Sequence, residues 1–412
     1  MRYSTIFPKT LKMAPSGAES INHQLLARGG FIDQLMAGSW TLLPLGLRVV
    51  SKINQIIRQE LNSTGAWEAQ LPLLHPKEIW SRSGRWDDPA VAEIMYRLKD
   101  RSEREYCLSF THEEIVMDLL GKYNLSYKDL PIKIYQFSTK FRNELRAKSG
   151  ILRGREFLMK DLYSAHVSLE DLEVYFAQVR EAYLKIFTRM DLETRVVNAS
   201  GGVFTEHFTQ EFQVECDAGE DMVLFCEKCD FAANVEVIKS NNCPECSGLL
   251  KEVKTVEVGH IFTLGTKYAA NMNVNFTDET GNKKPLWFAS YGIGVSRLLG
   301  VLVEKFHDER GIIWPESVAP FKTHLIGLDL ENEEIKAQAE KVYQLLSADG
   351  VEVLYDDRVG LSAGEKFSDA DLIGVPYRLV VSKRTHDQIE VKKRADKNTN
   401  FMSVTELLEQ IR

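Results

Sequence analysis

A chain of 412 residues is long enough for two or three domains at roughly 150 residues each. Hydrophobic residues make up 44% and charged residues 27%, and no stretch reaches the ~18 apolar residues of a membrane span, so a globular cytoplasmic protein with no membrane association is expected. The net charge of −8 argues against non-specific coating of nucleic acid and leaves room for a local basic patch.

The N-terminus, MRYSTIFPKTLKMAPSGAES, lacks the continuous apolar core of a signal peptide. In chain order, Leu47, Val50, Ile53, Ile57 and Leu61 recur at three- and four-residue spacing, which predicts an amphipathic helix over 46–64 capped by Gly65. AWEAQLPLL (66–74) reads as a strand, and Pro72 assigns it to an edge or an interface. IKIYQFSTKFR (132–142) and REFLMKDLYSA (155–165) flank the charged loop NELRAKSGILRG, the pattern of an antiparallel hairpin. A helix follows over 169–190, and a strand over 286–292 runs through Gly292 and Gly294 into the helix VSRLLGVLVEKF. From about 320 strands (THLIGL, VEVLYDD, YRLVVS, QIEVKK) alternate with helices (EEIKAQAEKVYQLLSADG, one starting at Gly364, one at the end), which predicts a small α/β domain of its own. The two prolines of GIIWPESVAPF mark the linker, and there are no internal repeats.

Three stretches carry candidate chemistry. Arg142, Glu144, Arg146, Arg153 and Arg155 crowd the hairpin loop, where guanidinium forks suit phosphate or carboxylate oxygens; a solvated charged loop has the same composition. Gly292 and Gly294 let the backbone approach a ligand, with Arg297 one turn into the next helix, although an ordinary strand-to-helix turn also fits. Thr111, His112, Glu113 and Glu114 offer a hydroxyl and carboxylates to a cationic amine, and the same Thr before acidic residues fits a helix N-cap. Separately, Cys226-x2-Cys229-x13-Cys243-x2-Cys246 has the spacing of a tetrahedral structural zinc site with no open position, with reduced free cysteines as the alternative. Six cysteines, four of them in this clip, fit a reducing compartment better than a disulfide framework.

The order of these stretches resembles the three motifs of class II aminoacyl-tRNA synthetases: a helix and strand ending in proline (46–76), the FRNE…REF hairpin, and GIGVSR. THEE, YQFSTKFRNELR, REFLMKDLYSAH, EVGHIFTLGTKY, YGIGVSRLLG, DERGIIWP, APF and DDR…GEKFSDADLIGVP are similar, in the same order, to the prolyl-tRNA synthetase family of the bacterial type, over a span from about residue 3 to the C-terminus. The resemblance implies an α+β fold: a class II antiparallel-sheet catalytic core (1–318, with a short four-cysteine, zinc-ribbon-like insert at about 222–250) and a C-terminal α/β anticodon-binding domain (319–412). It implies ATP-dependent activation of L-proline and its transfer to tRNA(Pro) by a homodimer joined through motif 1.

By family role, Arg142 clamps the α-phosphate and the substrate carboxylate, Arg297 reaches the γ-phosphate, Glu144 accepts from the adenine amine, and Phe157 stacks on adenine. Arg153, Gly292 and Gly294 complete the expected ATP site, with Mg2+ bridging phosphate oxygens. Thr111 and Glu113 would hold the ring nitrogen of proline, and His166 and His260 match family positions near the substrate, where a packed histidine is an equal alternative. Arg146 is expected at the tRNA acceptor end, a surface charge being the alternative. The C-terminal domain has 13 Lys and Arg against 17 Asp and Glu, but 378–397 has seven basic residues to three acidic, so Lys383, Arg384, Lys392, Lys393 and Arg394 are the expected tRNA contacts, a solvated hairpin being the alternative.

Three departures from the family pattern matter. The large insertion that hydrolyses mischarged alanyl-tRNA is missing between motifs 2 and 3, where only a short stretch containing the second cysteine pair separates GGVFTEHFTQEFQVECDAGEDMVLFCEKCDFAANVEV from VEVGHIF, so no editing in cis is expected and Cys226, Cys229, Cys243 and Cys246 would bind structural Zn2+ that orders the shortened connection. Phe110 stands where the family usually has proline, and Ala289 replaces a usual glycine, with a methyl expected to crowd the adenylate. A catalytically silent paralogue that binds tRNA or an amino acid would lose the ATP arginines, which are present. A synthetase for another amino acid would differ first at Thr111 and Glu113.

Overall fold

The computed structural model describes residues 1–202, 204–205, 209–238 and 240–411, so part of the segment expected to replace the insertion lies outside the described residues. The chain forms two compact units, and no single cut near 318 separates them: Leu35–Trp40 belongs with Asn54–Val301, and Met1–Gln34 and Thr41–Ile53 belong with Leu302–Arg412. Among the described residues no helix is long and apolar enough to cross a membrane.

Helix α1 (Pro44–Ser63) buries Val50, Ile53, Ile57 and Leu61, while Leu47, expected on the same stripe, is 54% exposed. Gly65 follows with φ +78°, a left-handed conformation that glycine adopts without Cβ strain, and donates to Asn62 O at 3.0 Å. The strand expected over 66–74 is interrupted: β1 is only Trp67–Glu68, and Leu74–Pro76 joins a separate three-stranded sheet with Arg97–Lys99 and Glu105–Leu108. Pro72 cannot continue the ladder, and β1 does lie at a sheet edge.

After helices α2 (Lys77–Ser83) and α3 (Glu113–Gly121), the expected hairpin is formed by β2 (Ile132–Phe141) and β3 (Glu156–His166), antiparallel from Ile132↔Ala165 to Phe141↔Glu156. Helix α4 (Leu169–Thr188) is capped by Ser168, which accepts from Asp171 N. Then come β4 (Arg195–Ala199), β5 (Thr209–Glu215), β6 (Asp221–Cys226), β7 (Ala232–Asn234), β8 (Leu250–Gly265), α5 (Lys267–Met272), β9 (Trp287–Gly294) and α6 (Val295–Lys305). The described strands assemble as β5-β4-β7-β6-β8-β9-β3-β2-β1, with β5 also pairing with β8; the pairs are antiparallel except β7–β4 and β1–β2.

Side chains alternate across this sheet with period two. On one face Lys160 reaches Tyr183 of α4 and Tyr291 O, Ser164 meets the Tyr291 hydroxyl at 2.9 Å, and the Tyr291 ring packs on Tyr175 and Phe176. The intervening residues Met159, Asp161 and Tyr163 face the other way and line a cavity. Ala289 shares the face of Tyr291, so its methyl points away from that cavity rather than crowding it.

The other unit holds the expected α/β arrangement: β10 (Thr323–Gly327), α7 (Glu333–Ala348), β11 (Val353–Asp356), α8 (Ala363–Ile373), β12 (Tyr377–Val381), β13 (Ile389–Lys393), β14 (Asn400–Met402) and α9 (Val404–Ile411). Strand order is β11-β10-β12-β13-β14, parallel over the first three and antiparallel over the last two. Leu325, Val342, Leu379, Leu407 and Ile411 share one core. The first residues of the chain extend the sheet beside β11: Met1 and Val353 or Tyr355 exchange backbone bonds at 2.8 Å, and the Arg2 guanidinium meets both Glu340 oxygens at 2.7 Å. Nothing local in the first residues announces that pairing.

Gly374 ends α8 at φ +78°, and a Cβ there would sit 2.2 Å from Ile312 O. Gly374→Ala is therefore expected to lower stability by at least about 2 kcal/mol, read from chemical denaturation.

Candidate active site

The cavity, of about 330 Å3, opens over the middle of the large sheet. Its floor is set by register. Tyr163 pairs with Ser290, Asp161 with Gly292 and Met159 with Gly294, while Gly292 and Ser290 pair on their other side with His260 and Phe262. Period-two alternation then turns all of these toward one face. A Cβ on Gly292 would lie 3.7 Å from Met159 Cε and one on Gly294 3.2 Å from Arg297 Cβ, so both glycines keep the floor low. The walls are the hairpin loop, the start of α3, the first turn of α6 and residues 200–202 with Phe204.

Arg142 and Arg297 both line the cavity. Arg297 is held by Leu152 O at 2.9 Å and Glu257 O at 2.8 Å. Arg142, at the end of β2, lies over the Phe157 ring at 5.3 Å, and burial together with Arg297 lowers its pKa. Two half-buried guanidiniums facing one space favour an anion between them. Glu144 also lines the cavity, but its carboxylate accepts from Arg153 Nε and Nη2 at 3.0 and 2.9 Å, and Arg153 reaches on to Glu220 at 2.8 Å.

The Thr111 hydroxyl donates to Glu113. Thr111 does not cap α3: the N-cap position is His112, with no side-chain capping bond, and the acidic first turn is Glu113 and Glu114. Burial raises the Glu113 pKa, and Arg85 opposes that shift. His112 is pinned. Lys140 Nζ lies 2.7 Å from Nδ1, and Nε2 donates to Pro72 O at 3.0 Å, a tautomer consistent with a pKa pushed to about 3 by burial and Lys140. Lys140 also bonds Asp161 at 2.9 Å, Asp161 accepts from Gln136 and Tyr163 at 3.0 Å, and Tyr163 accepts from His112 N at 3.0 Å. This buried network supports the Thr111–Glu113 segment. Reading the sequence did not single it out, although polar Gln136, Ser138 and Lys140 at every second position of the strand are its trace.

At the far side, His260 Nε2 meets Thr209 at 2.6 Å, its ring stacks on Phe262, and burial pushes its pKa to about 4. Ligand atoms of Glu211, Glu257 and His260 lie within 4.8 Å of one another, and burial with the Glu257 charge pushes Glu211 to about 8. Neither glutamate was singled out from the sequence.

Other sequence candidates lie elsewhere. His166 does not line the cavity; its ring is buried against Tyr175 with Nδ1 2.9 Å from Asp171. Arg146 is exposed on the hairpin loop. In the other unit Lys383, Arg384 and Lys393 are exposed and Lys392 is half-buried, whereas Arg394 is 4% exposed and committed to Asp308 at 2.6 and 2.9 Å, so it is a structural ion pair rather than a free surface charge. The four clip sulfurs lie within 4.8 Å of one another, with Cys226–Cys246 at 3.4 Å and Cys229–Cys243 at 3.6 Å. A Cβ on Gly248 would stand 3.1 Å from Cys226 Sγ, so the loop closes tightly against this glycine.

Asp161→Ala would leave Lys140 buried without its carboxylate and is expected to cost about 3–5 kcal/mol in chemical denaturation, whereas Asp161→Leu combined with Lys140→Met should recover most of that.

The family model for the tRNA synthetase class II core domain (G, H, P, S and T) matches residues 96–306, and that for an anticodon binding domain matches 317–412. The chain is 42% identical to a proline–tRNA ligase of Sulfurimonas denitrificans, covering 93% of this chain and 92% of that one, and 40% identical to one from a Wolbachia of Brugia malayi, covering 99% of each. A proline–tRNA ligase of Dehalococcoides mccartyi is 33% identical over an alignment of 562 positions, 150 more than the 412 residues here, covering 100% of this chain and 98% of that one. Prolyl-tRNA synthetases from Cryptosporidium parvum, with halofuginone and AMPPNP, and from Giardia lamblia, with prolyl-adenylate, share the fold at a TM-score of 0.79. Their identities are 19% and 17%, with 95% and 94% of this chain and 75% of each of theirs covered.

Proposed function

The chain belongs to the proline–tRNA ligase family of class II synthetases, and from that premise we propose that it activates L-proline with ATP to prolyl-adenylate and transfers the prolyl group to the terminal ribose of tRNA(Pro). The observation that carries this reading is the cavity's polarity: Arg142 and Arg297 supply positive charge at one part of it, and the Thr111–Glu113 pair supplies a hydroxyl and a carboxylate at another.

The reaction needs little covalent work from the protein. A carboxylate oxygen of proline attacks the α-phosphorus and pyrophosphate leaves. Arg142 faces the charge that grows on the α-phosphate, and Arg297, anchored on Leu152 and Glu257, faces the γ-phosphate. Phe157 offers its ring to adenine; Glu144 accepts from the adenine amine once its pairing with Arg153 opens, leaving Arg153 for phosphate. Gly292 and Gly294 leave room above the sheet. Glu113, with Thr111, takes the ring ammonium as a charge-assisted hydrogen bond. His260 closes the side next to Glu257. Glu211 and Glu257 provide the oxygen donors a hard cation prefers, so they would hold magnesium, which neutralises phosphate charge.

We place Arg146 at the acceptor end of tRNA and Lys383, Arg384, Lys392 and Lys393 against its anticodon arm; exposure or partial exposure of these five supports the assignment. Family-model boundaries at 306 and 317 support a functional division near 318 into catalytic and anticodon-binding parts. The 150 extra positions in the Dehalococcoides alignment support the absence of an editing domain in cis. The clip sulfurs fit zinc, since Zn–S bonds of about 2.3 Å place tetrahedral sulfurs about 3.8 Å apart. Cys226, Cys229, Cys243 and Cys246 would fill its coordination and hold the β6–β8 connection. The edge strand β1, with Trp67 79% exposed, is the proposed motif 1 dimer contact, and the cytoplasm is the compartment where such charging takes place.

Proline-dependent ATP–pyrophosphate exchange is the test, and Arg142→Ala is expected to reduce it at least about 100-fold. Exchange with another amino acid but not proline, or none at all from folded protein with magnesium, would overturn the assignment. Native mass spectrometry reads the two assembly claims together, with one zinc per chain and two chains per particle expected.

A further inference from the structure

The reaction as described makes no use of Arg85, whose guanidinium is buried directly behind Glu113. Its Nη1 lies 3.0 and 3.2 Å from the Glu114 oxygens and 3.7 Å from Glu113 Oε2. Its Nε and Nη2 are buried, and the Tyr268 hydroxyl lies within reach of the guanidinium. The rings of Trp80, Phe110, Phe204 and Tyr268 surround the guanidinium carbon at 5.2–5.5 Å. Burying a guanidinium is costly, and ring faces offset part of that cost. Phe110, the residue that departs from the family's usual proline, thus has a use here: stacked on Trp80 at 5.0 Å, it forms one wall of the box.

Charge counting shows what the box is for. Glu113 is 2% exposed, Glu114 0% and Arg85 8%, so two carboxylates and one guanidinium leave one negative charge out of water. Burial and Glu114 favour the protonated form of Glu113, whereas Arg85 and the Thr111 hydroxyl favour the carboxylate. The other groups within electrostatic reach of Glu113 are Lys140 and Arg142, which are cationic, and the neutral hydroxyls of Tyr163 and Tyr268. A protonated Glu113 would meet an ammonium donor with a donor of its own.

We propose that Arg85 is a positioning residue for the amino-acid pocket: gripped by Glu114 and boxed by four rings, it holds Glu113 ionised and aimed, so that the substrate's ring ammonium completes the charge of the cluster. The inference rests on the reading that Glu113 takes the proline nitrogen. Removing the guanidinium raises the Glu113 pKa further, so proline affinity in the variant is lost as pH falls, beginning at a higher pH than in the wild type.

The test is pyrophosphate exchange by the full chain, with KM for proline and for ATP measured separately from about pH 6 to about pH 9. Arg85→Met is expected to raise the proline KM at least about tenfold at neutral pH, with recovery toward high pH and an ATP KM within about twofold of wild type. Arg85→Lys, which keeps the charge, should recover most of the loss. Arg85→Met combined with Glu114→Gln leaves no unpaired buried carboxylate at 114 and carries the same reading if the single variant fails to fold; its proline KM should lie between those of wild type and the single variant. A folded Met variant whose proline KM follows the wild-type pH profile, or whose KM for ATP rises equally, overturns the proposal. A wild-type protein that exchanges no proline removes the reading beneath it instead, which the wild-type arm alone reveals.

Discussion

The pairing of β3 with β9, unslipped from Trp287↔His166 to Gly294↔Met159, is the constraint on which the site depends. A shift of one residue would turn Met159, Asp161 and Tyr163 toward α4 and bring Lys160, Leu162 and Ser164 into the cavity. The register is defended from both faces. Behind the sheet, Lys160 meets Tyr183 and Tyr291 O, and Ser164 meets the Tyr291 hydroxyl. In front, Asp161 gathers Gln136, Lys140 and Tyr163. The charges buried on both faces find partners in one register, Lys140 beside Asp161 at 2.9 Å among them, and each alternative would strand charges out of water.

From that frame the electrostatics follow. The charges of the site are each held by a partner that does not touch the reacting atoms: Arg297 on two backbone carbonyls and Glu113 before Arg85. Such partners are what make preorganisation possible, because a charge already oriented needs no rearrangement when substrate charge develops. The Glu144–Arg153–Glu220 chain is the exception, a pairing between groups that both have a proposed use for ATP. It is partly exposed, and exposed pairs are weak enough for a phosphate to displace.

The clip closes the connection between β6 and β8. β6 ends at Cys226 and pairs Cys226↔Leu250 with β8, so the turn between them must be made in a short, poorly cored segment. Four converging sulfurs and Gly248 close it compactly where so few residues supply little hydrophobic burial.

The residues alone determined much of this protein. The 46–64 helix, the hairpin of 132–142 and 155–165, the alternating C-terminal elements and the spacing of the four clip cysteines are local patterns, governed by side-chain periodicity and turn chemistry. Resemblance of ordered motifs added the family, and Thr111, Glu113, Arg142, Phe157, Gly292, Gly294, Arg297 and His260 do converge on one cavity. Tertiary structure decided the rest. It split the 66–74 strand at Pro72, exposed Leu47, committed Arg394 to Asp308, turned His166 and Ala289 away from the cavity, and attached the first residues to the sheet beside β11. It also revealed Lys140, Asp161, Glu211, Glu257 and Arg85. Each of these outcomes depends on a partner far away in the chain: a strand pattern shows that alternate residues face opposite ways, but only long-range pairing selects which face meets the ligand and which buried charge finds its counter-ion.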